Sequence, residues 1–178
     1  MKKVIGILLS TALMLSLVTT VAFGETISIG HSVDVLDSFS VKSKNITKFT
    51  GTTAIEIAEV NVINNTRDGY KVMLSAAHGA LHSVTADNGE SNIPYTLSKS
   101  QSGSQPSGTV SGFKALSVPS TPPTTPAIIL GNENALSGEL LNDPTYLEFT
   151  IKVAVTDASF LEMAGTYTDT ISITYQDL

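Results

Sequence analysis

Side chains able to do chemistry are sparse in this sequence, and their spacing decides what they could form. Two histidines stand four apart in His78-Gly-Ala-Leu-His82. On a helix that spacing would turn both rings toward one metal ion. Gly79 and the strand-like neighbours oppose a helix, and neither a cysteine nor a nearby acid completes a zinc set. Asp87-Asn-Gly-Glu90 gathers oxygen ligands but lacks the alternating positions of a calcium loop, so it reads as a turn. Glu148 and Asp169 could be imagined as the carboxylate pair of a glycosidase, but solvated surface charge is the ordinary reading of two such acids. No serine lies in a Gly-x-Ser-x-Gly setting, and the chain has no cysteine to serve as a nucleophile. The sequence thus offers no catalytic residue, no cofactor-binding residue and no metal ligand, and implies a protein that is not an enzyme. The triplets Asn45-Ile-Thr47 and Asn64-Asn-Thr66 match glycan acceptors, a short pattern that is frequent by chance.

Composition narrows the class. The 178 residues carry 10 Lys and Arg against 16 Asp and Glu. Residues 1–24 read as a secretory signal peptide: a basic Met1-Lys2-Lys3, an apolar run and the small-residue site Ala22-Phe-Gly24. The apolar run is long enough to span a membrane, but that site and the abrupt polar sequence after it favour cleavage. Cleavage would remove Lys2 and Lys3 and no acid, leaving a net charge of −8 on residues 25–178. An acidic exported chain repels polyanions, so nucleic acid is not an expected partner, nor is membrane insertion expected after cleavage. Without cysteine there is no disulfide, so stability must come from an apolar core and backbone pairing.

The elements that remain are strands. Residues 25–35 alternate, with Ile27, Ile29, His31, Val33 and Val35 on one parity. Phe39 and Val41 suggest a short continuation. Ile55 and Ile57 alternate, then Val60 and Val62 alternate on the opposite parity, a slip of the kind a β-bulge produces. The turn-forming run 64–69 followed by Tyr70, Val72 and Leu74 predicts a hairpin over residues 54–75. Residues 76–92 read as loops around a short strand near 81–84, and 98–108 as a flexible polar loop. Residues 119–126, Pro-Ser-Thr-Pro-Pro-Thr-Thr-Pro, predict an extended surface crossing. Residues 127–130 form a short apolar run. Leu147, Phe149, Ile151, Val153 and Val155 give the clearest strand. Tyr167, Ile171, Ile173 and Tyr175 face one way at the end of the sequence, with Asp169 at the strand's entrance. Eight or so short strands and no amphipathic helix imply an all-β, antiparallel, immunoglobulin-like β-sandwich, with residues 25–178 as a single domain.

The run Ala164-Gly-Thr-Tyr-Thr-Asp-Thr-Ile-Ser-Ile-Thr-Tyr175 resembles the closing turn and strand of the spore coat protein U family and of the related archaic chaperone–usher pilins. Residues 60–75 resemble their early hairpin. The resemblance implies a secreted immunoglobulin-like subunit whose fold is completed by a donor strand from outside, given first by a periplasmic chaperone and then by the next identical subunit. Carried onto this chain, residues 25–36 become the donor, with Ile27, Ile29, Val33 and Val35 as plugging side chains. Ile171 and Ile173 on the closing strand, 166–175, become the acceptor edge. The same residues 26–35 also fit the first strand of a complete monomeric domain. The expected function is an exported structural subunit of a surface fibre or coat, at the cell surface, outside the cell or in the periplasm. The alternative is a monomeric secreted or periplasmic binding module that presents residues 76–92 and 98–108 to a ligand.

Overall fold

The computed structural model describes residue 35 and residues 37–66, 69–86, 89–105, 112–132, 144–156 and 164–178. The expected signal peptide and three of the expected donor residues, Ile27, Ile29 and Val33, lie outside them. The described residues contain ten strands: β1 (Asp37–Ser43), β2 (Ile55–Asn64), β3 (Tyr70–Ala76), β4 (Leu81–Ala86), β5 (Gly89–Ile93), β6 (Tyr95–Ser104), β7 (Phe113–Lys114), β8 (Ala127–Asn132), β9 (Thr145–Val155) and β10 (Ile171–Asp177). All pairing is antiparallel. The first sheet runs β1-β2-β9-β6, the second β10-β3-β8-β7, and β4 and β5 form a separate hairpin.

Alternation along the strands explains why two sheets close on each other. In β9 every odd-numbered residue from Thr145 to Val155 is buried, while Tyr146 and Glu148 face solvent. In β3 the buried parity is Tyr70, Val72, Leu74 and Ala76. Val60 and Val62 of β2, Phe149 and Ile151 of β9, Val72 and Leu74 of β3 and Leu130 of β8 belong to one core cluster. Strands of both sheets feed that cluster, so the architecture is a β-sandwich. Each such side chain, fully removed from water, contributes roughly 1.5–3 kcal/mol. The sequence slip in β2 is a bulge: Glu56 pairs with Lys152 and Ala58 with Ile151, which leaves Ile57 as the extra residue.

Three expectations are corrected. Residues 54–75 are not a hairpin, because β2 pairs with β1 and β9 while β3 pairs with β10 and β8. The turn residues carry the chain from one sheet to the other. Alternation marks a core-facing parity, and it is the same whether two strands lie side by side or face each other across the core. Residues 98–104 are not a loop but the second half of β6, paired with β9 from Ser98↔Lys152 to Ser104↔Tyr146. A ladder is made of main-chain groups, so Ser, Gln and Gly side chains at a wet edge do not prevent it. Gly103 fits this ladder because its φ is +88° and a Cβ there would sit 2.1 Å from the Tyr146 carbonyl oxygen. The closing strand begins at Ile171, not at residue 166. Thr168 makes only an isolated bridge, to His82.

Candidate interaction surface at the edge of the second sheet

β10 is the last strand of the second sheet and has a described neighbour, β3, on one side only. Its hydrogen-bonding phase follows from its ends. Ala77 N donates to Thr170 O at 2.9 Å, and Leu178 N donates to Gly69 O at 3.1 Å. Even-numbered residues of β10 therefore bond to β3. In an antiparallel ladder the intervening residues turn both N–H and C=O the other way. The main-chain groups of Ile171, Ile173 and Tyr175 thus point away from β3, to the side with no described strand, while their side chains pack half-buried against the core.

The other sheet edges carry the devices that discourage strand addition. β1 bears Asp37 and Lys42. β7 is two residues long and ends in Lys114. β6 bears Lys99, exposed yet placed by register opposite the buried Ile151, on the core-facing parity. β10 has no charge from Ile171 through Gln176 and no proline. Beside it, Val41 of β1 is also on the core-facing parity, opposite Val60, yet it is 38% exposed. Apolar side chains of both sheets are thus incompletely covered along this edge.

At one end the gap is closed by aromatic rings. Phe39 stacks on Tyr175 at 5.4 Å, and Tyr175 stacks on Tyr70 at 5.7 Å. The Tyr175 hydroxyl donates to Asp37 Oδ1 at 2.6 Å and accepts from Asn64 Nδ2 at 3.0 Å. Burial, and then the Asp37 carboxylate, push its ionisation well above the usual tyrosine range. At the other end lies a cavity of about 610 Å³, lined by Ile57 and Val153 of the first sheet, Leu81 and Ile93 of the hairpin, Tyr167 and Ile171, with residues 43–49 along its side. Its size is within the roughly 300–1,000 Å³ of small-ligand sites.

Asp169 fixes the approach to β10. One carboxylate oxygen accepts from the His78 and Thr170 amides at 3.0 and 2.7 Å, the other from the Tyr95 hydroxyl at 2.9 Å. Burial, and then this bond, raise the Tyr95 hydroxyl's ionisation. The entrance residue is therefore a tether between the second sheet's edge strand and β6 of the first.

The remaining sequence candidates fall elsewhere. Glu148 lies on the outward parity of β9, whereas Asp169 bonds the core-facing Tyr95, so the two carboxylates occupy different surfaces. The His78 and His82 rings stack at 4.5 Å, and His82 Nδ1 meets Asn92 Oδ1 at 2.9 Å. Among the described residues no group of three or more His, Cys, Asp or Glu could hold a metal ion. Asn64 is 1% exposed, and its Oδ1 accepts from Thr66 N and Oγ1, so this glycan triplet is folded into the turn. Val35 is 73% exposed. Sequence reasoning missed the Tyr175–Asn64–Asp37 contact and the Tyr95–Asp169 tether. Asn64 did carry a signal, because it continues the buried parity of Ala58, Val60 and Val62.

Comparison with known proteins finds no family model, no characterised protein and no solved structure that matches the chain.

Proposed function

We propose that this protein is a non-enzymatic, exported structural subunit of a surface fibre or coat that assembles by strand addition at β10. The observation that carries the reading is the uncharged run Ile171–Gln176, with the main-chain groups of Ile171, Ile173 and Tyr175 turned to the side where no described strand lies. The donor is the alternating segment 25–36 of an identical subunit, presenting Ile27, Ile29, Val33 and Val35, and a periplasmic chaperone covers the edge before assembly. Backbone bonds would supply affinity and the alternate apolar side chains specificity. The test is amide hydrogen exchange on the protein with and without an added peptide of residues 25–36. Slower exchange at Ile171, Ile173 and Tyr175 supports the reading. Unchanged exchange at all three with saturating peptide contradicts it.

The cavity beside Ile171 favours a second reading, a monomeric binding module. There the contact residues would be those of segment 43–49 and the β4–β5 hairpin rather than 98–104, which are strand.

A further inference from the structure

The segment between β7 and β8 contains Pro119-Ser-Thr-Pro-Pro-Thr-Thr-Pro126, and the fold sorts its side chains by type. Pro122 is buried and Pro119 and Pro123 are half-buried, whereas Ser120, Thr121, Thr124 and Thr125 are all exposed. The segment is held by main-chain oxygens. Leu97 N of β6 donates to Ser120 O at 2.8 Å, and Ala76 N of β3 donates to Pro123 O at 2.7 Å. It therefore ties the first sheet to the second without using a single hydroxyl. Serine and threonine interleaved with proline are the composition of O-glycosylated stalks in exported proteins. Here the same composition is displayed on a strap whose backbone is already fixed.

We propose that Ser120, Thr121, Thr124 and Thr125 form a site of O-glycosylation. A hydroxyl oxygen attacks the anomeric carbon of a sugar activated as a nucleotide- or lipid-linked phosphate. The glycosidic C–O bond forms and the bond from the anomeric carbon to the phosphate oxygen breaks. The phosphate leaves with the bonding pair, and the hydroxyl proton passes to a base of the transferase. Nothing is oxidised or reduced. The strap accepts the sugar without rearrangement, because its anchoring groups are carbonyls and its hydroxyls lie outside the packed surface. A proline-reading domain fits less well, since the proline faces it would grip are turned inward at Pro122 and Pro123. Glycans here would lie on neither the β10 edge nor the cavity, so the proposal stands independently of the assembly reading.

The test is intact-mass and peptide mass spectrometry of the protein purified from cells that naturally make it, with the same protein from a cytoplasm lacking glycosyltransferases as reference. Whole-sugar increments on the peptide holding residues 119–126 are expected. They should vanish in a variant with Ser120→Ala, Thr121→Ala, Thr124→Ala and Thr125→Ala, while circular dichroism and the thermal midpoint stay as in the unmodified protein. An unmodified mass, or increments that persist in the variant, would overturn the proposal.

Discussion

The Tyr175 hydroxyl donates to Asp37 Oδ1 at 2.6 Å, joining the last strand of the second sheet to the first strand of the other. Both strands are sheet edges, so this contact, with the Phe39 ring stacked on Tyr175, closes one end of the gap between the sheets. Tyr175→Phe keeps the stacking and deletes the hydroxyl. It takes from the Asn64 amide, which is 1% exposed, its 3.0 Å partner and leaves it a longer contact of 3.4 Å to Asp177 Oδ1. Losing one intramolecular hydrogen bond while that contact remains costs about 0.5–1.5 kcal/mol. Urea unfolding should show a midpoint lowered accordingly, and an unchanged midpoint would contradict the role given to this contact.

Alkali should act through the same cluster. Burial pushes the Tyr70 hydroxyl up to about 12 from 10.0, while its bond to Thr145 acts in the opposite direction. Burial raises Tyr95 and Tyr175 as well. A folded-state value above the unfolded one means the native protein holds the proton more tightly. The stabilising contribution is therefore complete below pH 10.0 and is lost as the pH climbs toward about 12. Melting temperatures measured across that window should fall. Tyr70→Phe should show a shallower fall than the wild type, and an equal slope would count against the assignment.

Gly103 tests how far β6 extends. With φ at +88° and the Tyr146 oxygen 2.1 Å from an added Cβ, Gly103→Ala cannot fit without moving the ladder. Positive φ alone costs a non-glycine residue about 1–3 kcal/mol. If residues 98–104 were a free loop, the substitution would be silent in a denaturant melt; a measurable loss of stability is the predicted outcome.

Asn132 offers the opposite sign. It is 1% exposed at the end of β8, and neither amide atom has a partner among the described residues. Asn132→Leu replaces an unpaired amide with an apolar group of similar shape, so the denaturation midpoint should hold or rise, by about 1 kcal/mol. A fall of that size would show that the amide is satisfied in solution.

How legible all this was in the sequence follows from what each feature depends on. β9 and the half-buried parity of β10 were readable because burial on one face forces alternation, as in Leu147, Phe149 and Ile151. The bulge at Ile57 was readable because an extra residue flips that alternation. Sheet membership was not. Val62 and Val72 alternate as a hairpin would, yet they belong to different sheets. The extent of β6 was hidden because main-chain pairing leaves no mark on Ser98-Lys-Ser-Gln-Ser102. The strand parity of Ile171 and Ile173 was readable in the same way as that of β9. That β10 is an edge strand among the described residues, and that it contrasts with the edges bearing Lys42, Lys99 and Lys114, required the strand order. The Tyr95–Asp169 tether joins residues 74 apart and has no local pattern at all.

The most direct test of assembly by strand addition is size-exclusion chromatography with light scattering on residues 25–178, alongside the same protein carrying Ile29→Asp. The substitution changes the proposed donor and leaves the β10 edge intact. The account predicts oligomers that resist mild denaturant for the wild type and monomers for the variant. A wild type that stays monomeric at every concentration, or a variant that assembles like it, would contradict it.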